Sequence, residues 1–177
     1  MSQRSHTAPA ISKARIFWPA FGFVLALDIV TKYLAVRMLP AVHVPHPVIG
    51  DLLRFTLAYN RGAAFGTDVG EWSRWIFTAV AMLVLIFLAQ AYRDTDAADR
   101  LRVLALGLVC GGAVGNVIDR LRSELGVIDF IDIGLGSARW YTFNIADMGV
   151  SIGAMLLAWS FWQEGRKGEA GVGRADS

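Results

Sequence analysis

The chain has 177 residues, of which 55% are hydrophobic and only 18% are charged. Soluble domains carry roughly 45–50% apolar and about 25% charged residues, so this composition favours a membrane protein. The formal net charge of +2 is too small to indicate nucleic-acid binding, and the single cysteine, Cys110, cannot form an internal disulfide.

Four segments approach the length of about 20 mostly apolar residues that a membrane-spanning helix needs. They cover residues 16–39, 72–92, 101–119 and 143–162. Tryptophan and tyrosine at segment ends are typical of the membrane interface. The first segment is too long for the apolar region of a signal peptide and carries internal charges, so we expect it to be retained.

Orientation follows from the lysines and arginines in the loops and tails and at the adjoining ends of the spans. Nine lie in the N-terminal tail, the loop between spans two and three, and the C-terminal tail, against six on the opposite side. Because the more basic side faces the cytoplasm, we expect cytoplasmic tails at residues 1–15 and 164–177. We also expect the first dozen residues and the glycine-rich tail after Trp162 to be disordered.

The two predicted outer loops, residues 40–71 and 120–142, carry strand patterns. Apolar and other residues alternate from Leu53 to Tyr59, and the stretch from Val127 to Ile133 is rich in β-branched residues. The predicted fold is therefore an all-α membrane protein of four transmembrane helices with a small extracytoplasmic β-sheet built from both outer loops.

Polar residues from three spans are predicted to reach the same depth in the outer leaflet. A charge at the centre of a bilayer costs about 2.5–3.5 kcal/mol on insertion scales, so such residues are rarely incidental. At about 1.5 Å per residue, Asp28 lies roughly 18 Å beyond Ile16, past the middle of the membrane. The set comprises Asp28, Lys32, Asn116, Asp119, Arg120, Asn144 and Asp147, with Asp129 entering from the loop above.

Glycines at four-residue spacing indicate close helix packing. Gly107, Gly111 and Gly115 share one helix face, and so do Gly149 and Gly153. Small residues at this spacing let helix backbones approach each other in lipid. Gly112 lies outside both faces, and close approach to a ligand is one interpretation of it.

The available chemistry is that of carboxylates and amides. No histidine lies in the polar cluster and no serine has a nucleophile-elbow context, which argues against zinc and serine hydrolases. Two carboxylates in a site of low dielectric constant share a proton, so one can act as base on a water and the other as acid. This chemistry needs no cofactor and no metal.

The residues alone leave alternatives open. Asp129 has a rival in Asp132, three residues further on. A structural carboxylate that caps the fourth helix is a second interpretation of Asp147. A small transporter and a non-catalytic assembly factor are competing functions, although an apolar inner half argues against a continuous ion path.

Five sequence blocks resemble lipoprotein signal peptidase (signal peptidase II) of bacteria. They are LDIVTK at 27–32, YNRGAAFG at 59–66, GGAVGNVIDRL at 111–121, VIDF at 127–130 and FNIADMGVSIG at 143–153. Together they extend over most of the chain in the family's order.

The resemblance implies an intramembrane aspartic endopeptidase of the bacterial cytoplasmic (inner) membrane that is inhibited by globomycin. Its substrates would be diacylglyceryl-modified prolipoproteins, cleaved before the lipidated cysteine. By motif match the catalytic residues are Asp129 and Asp147. Substrate binding or site support is expected from Asp28, Lys32, Asn60, Gly112, Asn116, Asp119, Arg120 and Asn144. We expect a monomer whose other partner is membrane lipid.

One further hypothesis concerns the outer loop. Strand signals and the glycines that flank Phe65 suggest that this loop clamps the substrate over the site.

Overall fold

The structure is a computed structural model that describes residues 12–62, 70 and 72–175, with side chains to residue 166. The expected disorder of the first dozen residues concerns positions almost all outside this range. The hypothesis of a clamping loop around Phe65 likewise falls on residues outside the described part of the chain.

Four helices are long and apolar enough to cross a membrane, as predicted. They are α1 (Ala14–Met38), α2 (Ser73–Asp94), α3 (Arg100–Arg122) and α4 (Ile145–Ala175). The observed ends differ from the predicted ones by one to three residues, except at the end of α4. The chain is therefore a multi-pass membrane protein.

Helix α3 is the central helix of the bundle, since it packs against α1, α2 and α4. In the most apolar 18-residue stretch of α3, 61% of the residues are buried, whereas only 11% are buried in the corresponding stretch of α2. The lipid-exposed helices can be apolar all round, whereas α3 must use small residues to accept neighbours on several sides.

The predicted glycine faces are helix contacts. A Cβ on Gly107 or Gly111 would lie 2.8 or 2.6 Å from the backbone oxygen of Phe17 or Phe21 in α1. Gly112 has the same role towards α4, because its Cβ would lie 2.3 Å from the carbonyl oxygen of Ala146. The contact of Gly112 in the structure is therefore one of helix packing, and its role as a ligand contact stays a prediction.

A four-stranded antiparallel sheet lies at one end of the bundle, which we call the sheet end. Its strands follow in the order β1 (His46–Ile49), β2 (Leu53–Asn60), β3 (Val127–Leu135) and β4 (Ala138–Arg139). As predicted, both inter-span loops contribute to the sheet, through β2 and β3, and each loop adds one further strand. The two short edge strands have no clear sequence pattern and were not predicted.

The expectation of disorder after Trp162 was wrong, because α4 continues to Ala175. Arg102 of α3 donates to Glu164 at 2.8 Å, and its guanidinium lies over the ring of Phe161. These contacts hold the helix beyond the last aromatic residues. At its other end α4 begins at Ile145 and not at Phe143, because Phe143 hydrogen-bonds to strand β3.

Lys13 fixes the opposite end of the bundle. Its ammonium donates to the carbonyl oxygens of Tyr92, Arg93 and Thr95 at 2.8–3.1 Å. These are among the carbonyls that a helix leaves unpaired at its C-terminus. Lys13 therefore joins the start of α1 to the end of α2.

Gly112→Ala should destabilise the protein by about 2 kcal/mol, because the added methyl group would push α3 away from α4. Gly22→Ala is the matched control, since a Cβ there meets nothing within 4 Å. That variant should be neutral or up to about 1 kcal/mol more stable, from helix propensity alone. Thermal unfolding in detergent measures both, and equal effects of the two substitutions would contradict the packing role of Gly112.

Candidate active site

Asn144 and Asp147 form a capping box at the start of α4. The side-chain oxygen of Asn144 accepts the backbone N–H of Asp147 at 2.9 Å, and Asp147 Oδ2 accepts the backbone N–H of Asn144 at 3.2 Å. This arrangement satisfies two otherwise unpaired N–H groups of the helix start. The capping interpretation of Asp147 is thus correct, and it leaves Oδ1 of the same carboxylate for other partners.

Strand β3 brings Asp129 to the same place. Phe143 exchanges backbone hydrogen bonds of 2.8 and 3.0 Å with Ile131, so the residue that follows it, Asn144, lies beside the strand. The amide nitrogen of Asn144 donates to Asp129 Oδ1 at 2.7 Å and to the Ile128 carbonyl at 3.2 Å. Asn144, which is fully buried, therefore bridges the two carboxylates.

Asn116 adds a contact from α3. Its amide nitrogen donates to Asp147 Oδ1 at 2.8 Å, while its oxygen accepts from Lys32 at 2.9 Å and from Asn144 at 3.2 Å. Both oxygens of Asp147 are therefore hydrogen-bonded within the protein.

Lys32 forms two buried ion pairs. Its ammonium lies 2.7 Å from Asp28 and 2.8 Å from Asp119. Asp28 also accepts the backbone N–H of Ala146 in α4 at 2.9 Å, and Asp119 accepts that of Ile128 in β3 at 3.2 Å. Neither aspartate contacts Asp129 or Asp147 in this arrangement, so their observed contacts are those of supports for the site.

Asn60 reaches the site from the end of β2. Its side chain hydrogen-bonds Asp129, and its oxygen accepts the backbone N–H of Gly62 at 2.8 Å. The backbone of Asn60 comes so close to Gly126 that a Cβ there would lie 2.2 Å from its carbonyl oxygen. Gly126 also has a φ of +91°, which favours glycine on conformational grounds.

Arg120 points its guanidinium towards the same carboxylates. Asp147, Asp129 and Asp119 all interact with its charge. It donates a long hydrogen bond of 3.4 Å to the Asn116 carbonyl, and its Nε is buried without a hydrogen-bond partner among the described residues. This leaves donors available to a bound molecule.

Asp132 has a different environment from Asp129. Its carboxylate accepts hydrogen bonds from Arg139 of β4 at 2.6 Å and from Thr56 of β2 at 3.1 Å, and so connects β3 to both neighbouring strands. Residues three apart on a strand point to opposite faces, so only one of the two aspartates can meet Asn144. The structure places Asp129 there.

An apolar groove of about 500 Å³ leads to Asp147. Sequence reasoning missed its lining, although the four-residue spacing of Asp147 and Ser151 on α4 indicates a common face. The other lining residues come from the sheet, its connection to α4, and α4 itself: Ile133, Trp140, Phe143, Met148 and Ile152.

The pKa of Asp129 is raised to about 7. Burial is the largest cause, since the residue is only 3% exposed, and the negative charge of Asp147 adds to it. Hydrogen bonds from Asn144 and Asn60 and the charge of Lys32 act in the opposite direction. A carboxyl that titrates near neutral pH is suited to acid–base chemistry.

Among the residues that the structure describes, no three His, Cys, Asp and Glu side chains form a group that could hold a metal ion. The site consists of two carboxylates, three asparagines, a guanidinium and an ammonium. This set can activate a water and protonate a leaving group, and it can bind a carbonyl oxygen.

Comparison with known proteins agrees with the geometry. The family model for signal peptidase (SPase) II matches residues 20–163. A lipoprotein signal peptidase of Hydrogenovibrio crunogenus is 45% identical over 81% of this chain and 83% of its own length. One from Coxiella burnetii is 41% identical over 82% of this chain and 90% of its own length.

Solved structures show the same fold. A bacterial membrane enzyme determined by the in meso method at 2.3 Å resolution superposes with a TM-score of 0.71 and 31% sequence identity. The match covers 82% of this chain and 87% of that enzyme.

Asp129 should make stability depend on pH. The folded carboxyl keeps its proton up to about pH 7, whereas the unfolded one loses it near 3.8, so the free energy of unfolding falls as pH rises between these values. The full difference is on the order of 4 kcal/mol, at about 1.4 kcal/mol per pKa unit. Thermal unfolding between about pH 5 and 8 should show this fall in the wild type and much less of it in Asp129→Asn. Equal slopes would contradict the assignment.

Proposed function

The chain belongs to the signal peptidase II family, and we propose that it is an aspartic endopeptidase whose reacting carboxylates are those of Asp129 and Asp147. Its substrates are diacylglyceryl-modified prolipoproteins, and it cleaves before the lipidated cysteine. The observation that carries the proposal is the pair of carboxylates bridged by buried Asn144, whose side-chain amide donates to Asp129 and whose backbone N–H donates to Asp147. The pKa of Asp129 is raised to about 7.

Two carboxylates with one proton between them can catalyse peptide hydrolysis without a cofactor. One removes a proton from a water whose oxygen attacks the scissile carbonyl, and the other gives its proton to the carbonyl oxygen. When the tetrahedral intermediate collapses, the carbon–nitrogen bond breaks and the nitrogen takes up a proton. Both carboxyl groups then return to their starting states.

Arg120 is suited to hold the substrate. Its buried Nε has no partner among the described residues, and its charge lies near both carboxylates. A guanidinium presents five donors and no acceptor, so it can bind a carbonyl oxygen or a lipid phosphate. We assign it to substrate binding and not to proton transfer.

The apolar groove beside Asp147 is suited to an apolar peptide segment or an acyl chain. Its lining is almost wholly hydrophobic, and Ser151 and Ile152 lie on the outward face of α4, where a molecule in the membrane can enter. A lipid-modified substrate would reach the carboxylates through this opening without leaving the bilayer.

We place the enzyme in the bacterial cytoplasmic membrane, with both termini in the cytoplasm and the sheet end near the outer (periplasmic) face. The distribution of lysine and arginine between the loops supports this orientation. We propose that it acts as a monomer, because both carboxylates and their hydrogen-bond donors come from one chain.

Asp129→Asn and Asp147→Asn should each reduce cleavage of a diacylglycerylated lipobox peptide by about 10²-fold or more, because each removes one of the two proton-transfer groups. Asp132→Asn is the matched control on the same strand, since an amide oxygen can still accept from Arg139. It should retain most of the activity. Normal cleavage by either of the first two variants, in protein that is correctly inserted, would refute the proposal.

Ser151→Phe should raise the KM for the same peptide several-fold, because the added ring fills the groove beside Asp147. Met155→Phe, one turn further along α4 on the exposed surface, adds similar bulk outside the groove and should leave KM unchanged. Steady-state kinetics in detergent micelles separate the two variants. An unchanged KM in Ser151→Phe would show that substrate does not occupy the groove.

A further inference from the structure

Lys32 has no contact with either reacting carboxylate, yet it occupies the centre of the polar network. It is 2% exposed, and its ammonium contacts Asp28, Asp119 and the side-chain oxygen of Asn116. An ammonium has three donors and no acceptor, so these three oxygens use its full capacity. Two of them belong to carboxylates, and the third is the neutral amide oxygen of Asn116.

The neutral contact determines the orientation of the Asn116 amide. Lys32 can only donate, so Asn116 must present its oxygen to the ammonium and its nitrogen to Asp147. A rotation of the amide by 180° would set donor against donor at Lys32 and acceptor against acceptor at Asp147. Asn144 supports the same orientation, because its amide nitrogen also donates to the Asn116 oxygen.

As a result, both oxygens of Asp147 face donors. Oδ1 accepts from the Asn116 amide, and Oδ2 accepts from the backbone N–H of Asn144 at the start of α4. An ionised carboxylate only accepts hydrogen bonds, whereas a protonated one must donate. The positive end of the α4 dipole adds to the preference for a negative charge at this position.

Asp129 has a different environment. It is more deeply buried than Asp147 and lies on a strand, not at a helix start. Burial and the charge of Asp147 raise its pKa to about 7, and they outweigh the hydrogen bonds it accepts and the charge of Lys32. Two neighbouring carboxylates in such a site cannot both ionise readily. The proton that the pair retains therefore has its more favourable position on Asp129.

We propose that Lys32 is a positioning residue for the reaction: by orienting the Asn116 amide it makes Asp147 the ionised carboxylate and leaves the proton on Asp129. This inference rests on the proposed function. Asp147 then takes the proton of the attacking water while Asp129 protonates the carbonyl oxygen. On collapse Asp147 passes its proton to the leaving nitrogen, and Asp129 regains one from the intermediate's hydroxyl.

The charged groups that interact with the pair come from α1, α3, β3 and α4, whereas β2 contributes the neutral side chain of Asn60. They are Asp28 and Lys32 from α1, Asp119 and Arg120 from α3, and the two carboxylates themselves from β3 and α4. Since Asp129 must be protonated in this scheme, activity should fall as pH rises through about 7.

Infrared difference spectroscopy on the full-length protein with isotope-labelled aspartate tests the position of the proton. At about pH 5.5, between the ordinary aspartate value and that of Asp129, a protonated carboxyl gives a separate carbonyl band. Asp129→Asn should remove this band, and Asp147→Asn should leave it. Loss of the band in Asp147→Asn alone would overturn the assignment, while the inactivity of both variants would still support the proposed peptidase.

Lys32→Met tests the positioning role. It should lower kcat by about 10²-fold with little change in KM, because the reacting groups lose their relative alignment while the groove is intact. In protein that carries Lys32→Met, the further substitution Asp147→Asn should also weaken the carbonyl band. Lys32→Arg, which retains charge and donors, should recover part of the activity and the wild-type band assignment.

Lys13→Met is the control for loss of a structural lysine. Lys13 caps α2 far from the pair, so its removal should lower thermal stability and leave kcat and the band unchanged. Asn116→Ala is the second variant, because it breaks the link to Asp147 and retains both ion pairs of Lys32. An unchanged band assignment in both Lys32→Met and Asn116→Ala would overturn the proposal.

Discussion

The buried ammonium of Lys32 is the interaction on which the arrangement of the site depends. Its partners Asp28 and Asp119 each make a second contact, to the start of α4 and to strand β3 respectively. One cation thus connects all the elements that hold the carboxylates. A membrane makes this network necessary, because a buried charge without a partner is far more costly than a paired one.

Such a network requires short distances between helices, and the glycines of α3 provide them. A Cβ on Gly115 would lie 2.5 Å from the Asp28 carboxylate, and one on Gly112 would displace the Ala146 backbone whose N–H that carboxylate accepts. Helix packing and site geometry are therefore two effects of the same residues. A larger side chain at either position would separate α4 from the charges that fix its first turn.

The polar groups are concentrated at the sheet end, whereas a core of Phe17, Leu88, Val103, Leu106 and Val109 fills the other half of the bundle. Within the part of the chain that the structure describes, this distribution leaves the half of the bundle away from the sheet apolar. The groove beside Asp147 opens on the outward face of α4, where Ile152 is exposed.

The sequence by itself determined the four spans and predicted a shared depth for the polar residues and the candidate carboxylates, because hydropathy, span length and charge are local properties. Only the tertiary structure placed Asp129 rather than Asp132 beside Asn144, since that depends on which face of β3 meets Phe143 and on the Arg139 ion pair. It alone also showed the edge strands, the role of Gly112 and the amide orientations. These rest on hydrogen bonds between distant residues, such as the one that joins Asp28 to Ala146 across 118 positions, and no local pattern encodes them.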